Sequence, residues 1–222
     1  MMKRTKLADR VLPVYSIGEE LVNTATHLIG GLLGIAALIL CVRKAILDRG
    51  AAEITGAAIY GCCLVILYSI SSIYHGLRPG LTKKVLQVLD HCAIYFLIAG
   101  SYSVVCLGAL RRESAALGWG ILGIEWALCI LATVLTAIDL KRYKLFSMIC
   151  YIGMGWAIIP LAAIIFRVMT PMGFWLLLLG GVSYTVGAVL FGIRRKWLHS
   201  IFHVFVVVGS VLQFFSFYWY GI

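Results

Sequence analysis

The chain has 222 residues, of which 62% are hydrophobic and only 13% are charged, and its mean hydropathy is +1.00. Because a soluble domain carries about 25% charged residues, this composition excludes an ordinary soluble protein and indicates one embedded in a membrane. The net charge of +10 lies in loops between apolar segments, where Lys and Arg orient a membrane protein and contact anionic headgroups. We therefore expect membrane lipids, and no nucleic acid, as partners.

Seven apolar segments follow one another along the chain, each close to the roughly 20 residues that cross a bilayer as a helix. The basic stretch before the first segment resembles the start of a signal peptide, but the apolar run is long and lacks a cleavage pattern, so we expect it to be retained. We predict an all-α, polytopic membrane protein, a seven-transmembrane-helix bundle that forms a single domain over residues 1–222. The predicted spans are residues 21–42, 53–75, 88–108, 117–138, 145–166, 172–192 and 198–220.

The loop charges predict the orientation of this bundle. Of the 19 Lys and Arg residues, thirteen lie on the side that holds the N-terminus and the loops after spans two, four and six. The positive-inside rule places that side in the cytoplasm. We thus expect a plasma-membrane protein with a cytoplasmic N-terminus and an external C-terminus, where the aromatic residues from Phe214 to Tyr220 suit the membrane interface.

Three histidines are the strongest functional signal. His199 and His203 are four residues apart, so they share one face of the last span, and His75 ends the second span at the same predicted depth. Three neutral imidazoles suit Zn²⁺ and leave a fourth position for water, as in catalytic zinc sites. The alternative is that the three rings only form hydrogen bonds between helices.

Two further residues extend this candidate site towards catalysis. Asp90 opens the third span at the level of the histidines and could hold or deprotonate a zinc-bound water. It could also simply pair with a cationic residue of a loop. Ser71 precedes His75 by four residues and shares its helical face, so its hydroxyl could donate a hydrogen bond to a ligand or an oxyanion. We take Asp90 and Ser71 as candidate catalytic residues.

A polar stripe in the first span has several explanations. Glu20, Asn23 and His27 are spaced three and four apart near the predicted cytoplasmic mouth, and substrate contact, helix packing and helix capping all fit. His91 adjoins Asp90 but points about 100° away around the helix. We expect His91 to be structural, or to be an outer partner of the site.

The outer half of the bundle holds one odd carboxyl group. Glu125 lies about eight residues into the fourth span from its outer end, away from the histidines. Since a lone intramembrane carboxyl group is costly, we expect Glu125 to pair across helices, in preference to a functional role. The cysteines contain no C-x-x-C pair, and we interpret them as small apolar fillers; they are Cys41, Cys62, Cys63, Cys92, Cys106, Cys129 and Cys150.

These motifs, in this order, resemble those of the haemolysin III proteins, the bacterial branch of the progestin and adipoQ receptor family, which is grouped with the alkaline ceramidases. The resemblance implies that His75, His199 and His203 hold zinc and that Asp90 contacts its water. One departure is Gln213, where eukaryotic receptors often have His; it lies too far beyond His203 to bind the same ion. The matching stretches are Glu20-Leu-Val-Asn23-Thr-Ala-Thr26-His27-Leu-Ile-Gly30, Ser71-x-x-x-His75, Asp90-His91-Cys-Ala-Ile-Tyr95, Gly100-Ser101-Tyr102 and His199-x-x-x-His203.

Two classes of function fit the sequence. One is a zinc-dependent, ceramidase-like hydrolase of a lipid amide or ester. The other is a non-enzymatic protein, either a pore-forming cytolysin or a sensor of membrane state with structural zinc. A pore carries polar residues along several spans, whereas the polar residues gather at one level here, so we favour a site over a channel. The hydrolase is the preferred function, and a sensor with structural zinc stays open. The oligomeric state stays open, because Gly30, Gly31 and Gly34 permit close helix packing within one chain or between two.

Overall fold

The computed structural model of the protein describes residues 5–193 and 195–222. The predicted all-α, seven-helix architecture is confirmed, and the described residues contain no strand. Lys3, Arg4 and Arg194, which contribute to the predicted charge bias, lie outside the described residues. The helices that are long and apolar enough to cross a membrane are α1 (Ile17–Asp48), α2 (Ala51–Gly76), α3 (Leu81–Glu113), α4 (Ala115–Ile138), α5 (Lys144–Val168), α6 (Thr170–Gly192) and α7 (Leu198–Gly221).

The predicted boundaries are close for five helices but too short for α1 and α3. Helix α1 begins four residues before the predicted span because Ser16 caps it: the Ser16 hydroxyl accepts a hydrogen bond from the Glu19 N–H, and the Glu19 carboxylate accepts one from the Ser16 N–H. Helix α3 begins at Leu81 rather than near residue 88. Hydropathy identifies only the part of a helix that is apolar enough for the hydrocarbon core. The backbone hydrogen bonds of α1 and α3 continue into the polar residues on either side of that part.

Three helices depart from regular α geometry in ways that the spans did not predict, and one of them is α7, whose last turn, Phe217–Gly221, is a π turn. Helix α5 is interrupted by a 3₁₀ turn, Ile159–Leu161, which contains Pro160. Proline lacks an N–H and its ring clashes with the preceding turn, so it breaks the α-helical ladder. Helix α3 contains a π turn over Cys106–Leu110. These breaks lie towards the end of the bundle that is remote from the histidines.

The helices pack in sequence order into a closed ring, with α7 contacting both α6 and α1. Helix α3 is the most buried of the seven, and α5 is the least. The contact between α1 and α2 is close: a Cβ atom added to Gly30 would lie 2.5 Å from the Tyr68 ring. The close packing expected of this small residue therefore occurs within one chain.

An elongated, largely apolar cavity of about 140 Å³ lies inside the bundle. Its walls come mainly from α3, α5, α6 and α7, and the histidine ends of α1 and α2 close one end. Typical apolar lining residues are Leu67, Leu97, Ile98, Phe202 and Val206. The loosely packed α5 and its neighbour α6 thus separate this cavity from the surrounding bilayer.

Candidate metal centre

The structure brings together the three histidines that the sequence singled out. The Nε2 atom of His199 lies 3.2 Å from that of His75 and 3.1 Å from that of His203. His75 comes from the last turn of α2, and the other two come from the first turns of α7. One nitrogen from each ring lies within 4.8 Å of the others, so the group could hold a metal ion.

The donor set fits a tetrahedral metal. With metal–nitrogen bonds of 2.0–2.1 Å, two tetrahedral ligand nitrogens stand about 3.3–3.4 Å apart, close to the two observed separations. Hydrogen bonding between neutral rings explains the cluster less well. The Nε2 atom of His199 has either one N–H or one lone pair, so it forms at most one well-directed hydrogen bond and leaves its other contact without one. A shared cation satisfies all three nitrogens.

A carboxylate from α1 fixes the orientation of His75. The Nδ1 atom of His75 donates a hydrogen bond to Glu20 Oε2 at 2.6 Å, which leaves the Nε2 lone pair directed at the centre. Lys83 Nζ lies 2.6 Å from Glu20 Oε1 and also donates to the Leu77 carbonyl. Helix capping by Glu20 is therefore wrong, because Ser16 and Glu19 supply the cap.

The role of Lys83 was not predicted from the sequence, in which it contributes only to the charge of the loop after the second span. The side chain is buried, and its ammonium group also lies 5.3 Å above the Tyr74 ring. A signal was present, since Lys83 precedes Asp90 by seven residues and so shares its face of α3. The chain of Lys83, Glu20 and His75 links α3, α1 and α2 at the candidate centre.

We expect Glu20→Gln to weaken metal binding about 10–100-fold, because the amide cannot hold the Nδ1–H of His75 as strongly as a carboxylate does. Titration of purified protein against a fluorescent zinc chelator measures this loss. Glu113→Gln is the matched control, since Glu113 pairs with Arg167 away from the histidines. Equal zinc affinity in wild type and Glu20→Gln would show that Glu20 does not support the site.

The start of α7, which sets the position of His199, is held by α1. Trp197 caps the helix with φ of 68°, a left-handed conformation that is uncommon outside glycine. Its N–H donates to Glu19 Oε1 at 2.7 Å. Tyr15, whose pKa is raised by burial, stacks on His199 with ring centroids 4.8 Å apart. None of these three supports of α7, namely Trp197, Glu19 and Tyr15, was predicted from the sequence.

The rest of the polar stripe in α1 lies against the ligand rings. His27 stacks on His203, with centroids 3.7 Å apart and planes 16° apart. Asn23 Nδ2 lies 3.4 Å from His75 Nδ1. Neither ring nitrogen of His27 has a hydrogen-bond partner in the described part of the chain. The stripe is thus part of the wall around the histidines.

The two candidate catalytic residues both line the cavity that adjoins His199 and His203. Ser71 is buried, and its hydroxyl has no hydrogen-bond partner among residues 5–193 and 195–222. Asp90 is half-buried, and no described basic side chain pairs with it. It lies nine residues into α3 and does not open the helix as expected, because α3 begins earlier.

The structure also bears on the expectations for His91 and Glu125. His91 does not belong to the three-histidine group: its Nδ1 atom forms a hydrogen bond with the Gln87 carbonyl of its own helix at 2.8 Å, and its ring contacts Phe191. The expected pairing of Glu125 across helices is wrong. Glu125 is 1% exposed, and neither carboxyl oxygen has a partner in the described ranges. The nearby indole of Trp126 donates to Ser103 instead. The seven cysteines are all free.

The fold and the site define a class: a multi-pass helical bundle with a three-histidine centre at one end, in which His75 and His203 are buried. The family model described as "Haemolysin-III related" matches residues 15–214, and the chain belongs to this family. It is 37% identical over 205 residues to Hemolysin-3 of Bacillus cereus, an alignment that covers 92% of each chain. It is 36% identical over 208 residues to the Hemolysin-3 homolog of Bacillus subtilis (strain 168), covering 93% of this chain and 96% of the relative.

Proposed function

We propose that this protein is a zinc-dependent membrane hydrolase that cleaves an amide or ester bond of a lipid. The observation that carries the proposal is the convergence of three imidazole nitrogens beside a cavity that also receives Asp90 and Ser71. A metal with only a structural role does not require a carboxylate and a hydroxyl group beside it, whereas here both are present and neither has a partner within the described residues. These two groups provide the acid–base and hydrogen-bonding functions that hydrolysis requires.

Each residue of the centre has a defined role in this proposal. His75, His199 and His203 would hold the ion, and Glu20 keeps His75 in the correct tautomer. Bound zinc would lower the pKa of water and polarise a carbonyl group. Asp90 accepts a proton from the attacking water and returns it to the leaving group.

Ser71 donates a hydrogen bond to the carbonyl oxygen as negative charge develops on it. Its buried hydroxyl is available for this role because the described residues leave it without a partner. Ser71 and Asp90 thus supply, from α2 and α3, the two polar contacts that the reacting group needs.

The apolar cavity favours a lipid as the substrate. Beyond the histidines its walls are largely aliphatic and aromatic, which suits an acyl chain whose polar end lies at the metal centre. Release of fatty acid from ceramide or phospholipid by zinc-loaded protein in vesicles tests the proposal. The release should stop on addition of a chelator. If zinc-loaded protein releases no fatty acid from either lipid, the metal is structural and the hydrolase proposal fails.

The relatives carry the name hemolysin, which raises the alternative of a pore-forming cytolysin. A water-filled pore needs polar groups along its length. The cavity wall between the histidine end and Gln213 is mostly apolar, and its hydroxyl groups are largely paired within the protein. The hydrolase accounts for these walls better than a channel does.

We further propose that the protein lies in the plasma membrane with its N-terminus in the cytoplasm. A reporter that is active only in the cytoplasm should therefore be silent when it is fused after Ile222, because the C-terminus lies outside. The same reporter fused before Met1 is the matched control and should be active. Activity of the C-terminal fusion would reverse the orientation and place the histidines near the outer surface.

A further inference from the structure

The cavity beside the metal centre adjoins a second one. The smaller cavity has a volume of about 50 Å³ and is lined by residues such as Phe174 and Phe217, at the far end of the bundle. Six residues line both cavities and therefore mark the junction between them: Ser101, Tyr102, Gly155, Trp156, Gly181 and Gln213. Four of these six carry polar side-chain atoms. Tyr102 and Trp156 donate to the Gly155 carbonyl and to Thr185, whereas Ser101 and Gln213 form no side-chain hydrogen bond in the described part of the chain and do not belong to the metal centre.

The polar groups along the larger cavity differ in whether the protein satisfies them. At the junction, Gln213 and Ser101 are 9% and 8% exposed as whole residues. The Gln213 side-chain oxygen is buried without a partner, and no hydrogen bond to the Ser101 hydroxyl is present in the described part of the chain. Between the junction and the histidines, the hydroxyl groups are paired. These pairs are Tyr184 with Ser210, Tyr151 with the His91 carbonyl, and Thr185 with the Gly181 carbonyl.

The register of two helices places this junction at one depth. Gln213 follows His203 by ten residues on α7, which corresponds to about 15 Å along the helix axis. Ser101 follows Asp90 by eleven residues on α3, or about 16 Å. Both helices run away from the histidine end. The cavity thus has two sets of polar groups without protein partners, one at the metal centre and one about 15 Å away.

The position of Gln213 is fixed by its packing. A Cβ atom added to Gly180 of α6 would lie 2.7 Å from Gln213 Cγ and 3.1 Å from the Gly209 carbonyl oxygen. The Gln213 side chain therefore packs against α6 at Gly180, where any larger residue would collide with it. A polar group that is buried and held in place without a partner costs free energy, which a ligand can recover by supplying the missing hydrogen bond.

We propose that Gln213 and Ser101 bind a hydroxyl group in the middle of the lipid acyl chain, so that the site selects hydroxylated chains. The inference rests on the proposed function, which places the polar head of the lipid at the histidines. An extended chain advances about 1.2 Å per bond, as three backbone bonds do over 3.3–3.6 Å. The separation of about 15 Å then places the hydroxyl group near the twelfth carbon.

The test compares the binding of stearic acid and 12-hydroxystearic acid to the purified full-length protein by displacement of a fluorescent fatty acid. Wild type should bind the hydroxylated acid about three- to tenfold more tightly, the range expected for one added hydrogen bond. Gln213→Leu and Ser101→Ala should each reduce or abolish that preference. Both variants should still bind stearic acid, which shows that they are folded.

Ser183→Ala is the matched control, because Ser183 donates to the Phe205 carbonyl outside the cavity; it should keep the preference. 2-Hydroxystearic acid should gain nothing from Gln213, since its hydroxyl group lies at the wrong end. If stearic acid binds but wild type shows no preference, water satisfies the junction and this inference is wrong while the proposed function stands. If neither acid binds, the acyl-chain cavity itself is wrong and both proposals fall.

Discussion

His203→Ala should abolish stoichiometric metal binding. Wild type purified in zinc-replete buffer should hold about one zinc ion per chain, and the variant should lose more than about 100-fold in affinity. The reason is that His203 supplies one of only three protein nitrogens at the centre, and even outer-shell partners of metal ligands contribute about 10–100-fold. Elemental analysis after dialysis against a weak chelator measures the retained zinc.

His91→Ala is the matched control for this experiment. His91 lines the same cavity, but its ring nitrogen bonds to the Gln87 carbonyl and it does not belong to the three-histidine group. The control variant should retain its zinc. Equal zinc content in wild type and His203→Ala would mean that the metal, if any, binds elsewhere.

Asp90→Asn should retain the metal but lose hydrolysis of the lipid. The carboxylate lines the cavity without belonging to the ligand group, so its replacement by a neutral amide of similar size leaves the three imidazoles unchanged. Removal of a general base typically lowers a rate about 10²–10⁴-fold. Parallel assays of zinc content and fatty-acid release on the same preparation separate these two effects.

Ser71→Ala provides the comparison within the same cavity. It should lower the rate less than Asp90→Asn does, because it removes one hydrogen bond to the carbonyl oxygen and leaves proton transfer in place. Full lipid-hydrolase activity in Asp90→Asn would show that the carboxylate is not the base. Loss of zinc in Asp90→Asn would instead make Asp90 a ligand or a support of the ligands.

The sequence predicted the histidine group because its geometry is local. The i, i+4 spacing of His199 and His203 places both on one face whatever the rest of the fold does, and the order of the spans brings His75 to the same end. The contacts that orient these rings are between distant segments. Nothing local indicates that Lys83 reaches Glu20 or that Glu19 holds the start of α7.

The two wrong expectations, for the position of Asp90 and for the pairing of Glu125, also arise because the sequence does not show contacts between distant segments. Hydropathy placed Asp90 at the start of a span because it excludes the lysines of the preceding turns, although Glu20 neutralises Lys83 there. For Glu125, the cost of an unpaired carboxyl group predicted a partner, but the adjacent Trp126 indole bonds to Ser103. The seven helices were predictable because apolar length alone defines them. Which buried polar groups pair depends on packing that a single sequence does not reveal.

The most direct test of the central claim is the X-ray absorption spectrum of wild-type protein at the zinc edge, because it identifies the ligand atoms. We expect imidazole nitrogens at about 2.0–2.1 Å, together with the outer-ring scattering of several histidines. The chain also contains seven free cysteines, several of them buried, which offer an alternative set of ligands. Sulfur scattering at about 2.3 Å, or zinc without imidazole scattering, would contradict a centre built from His75, His199 and His203.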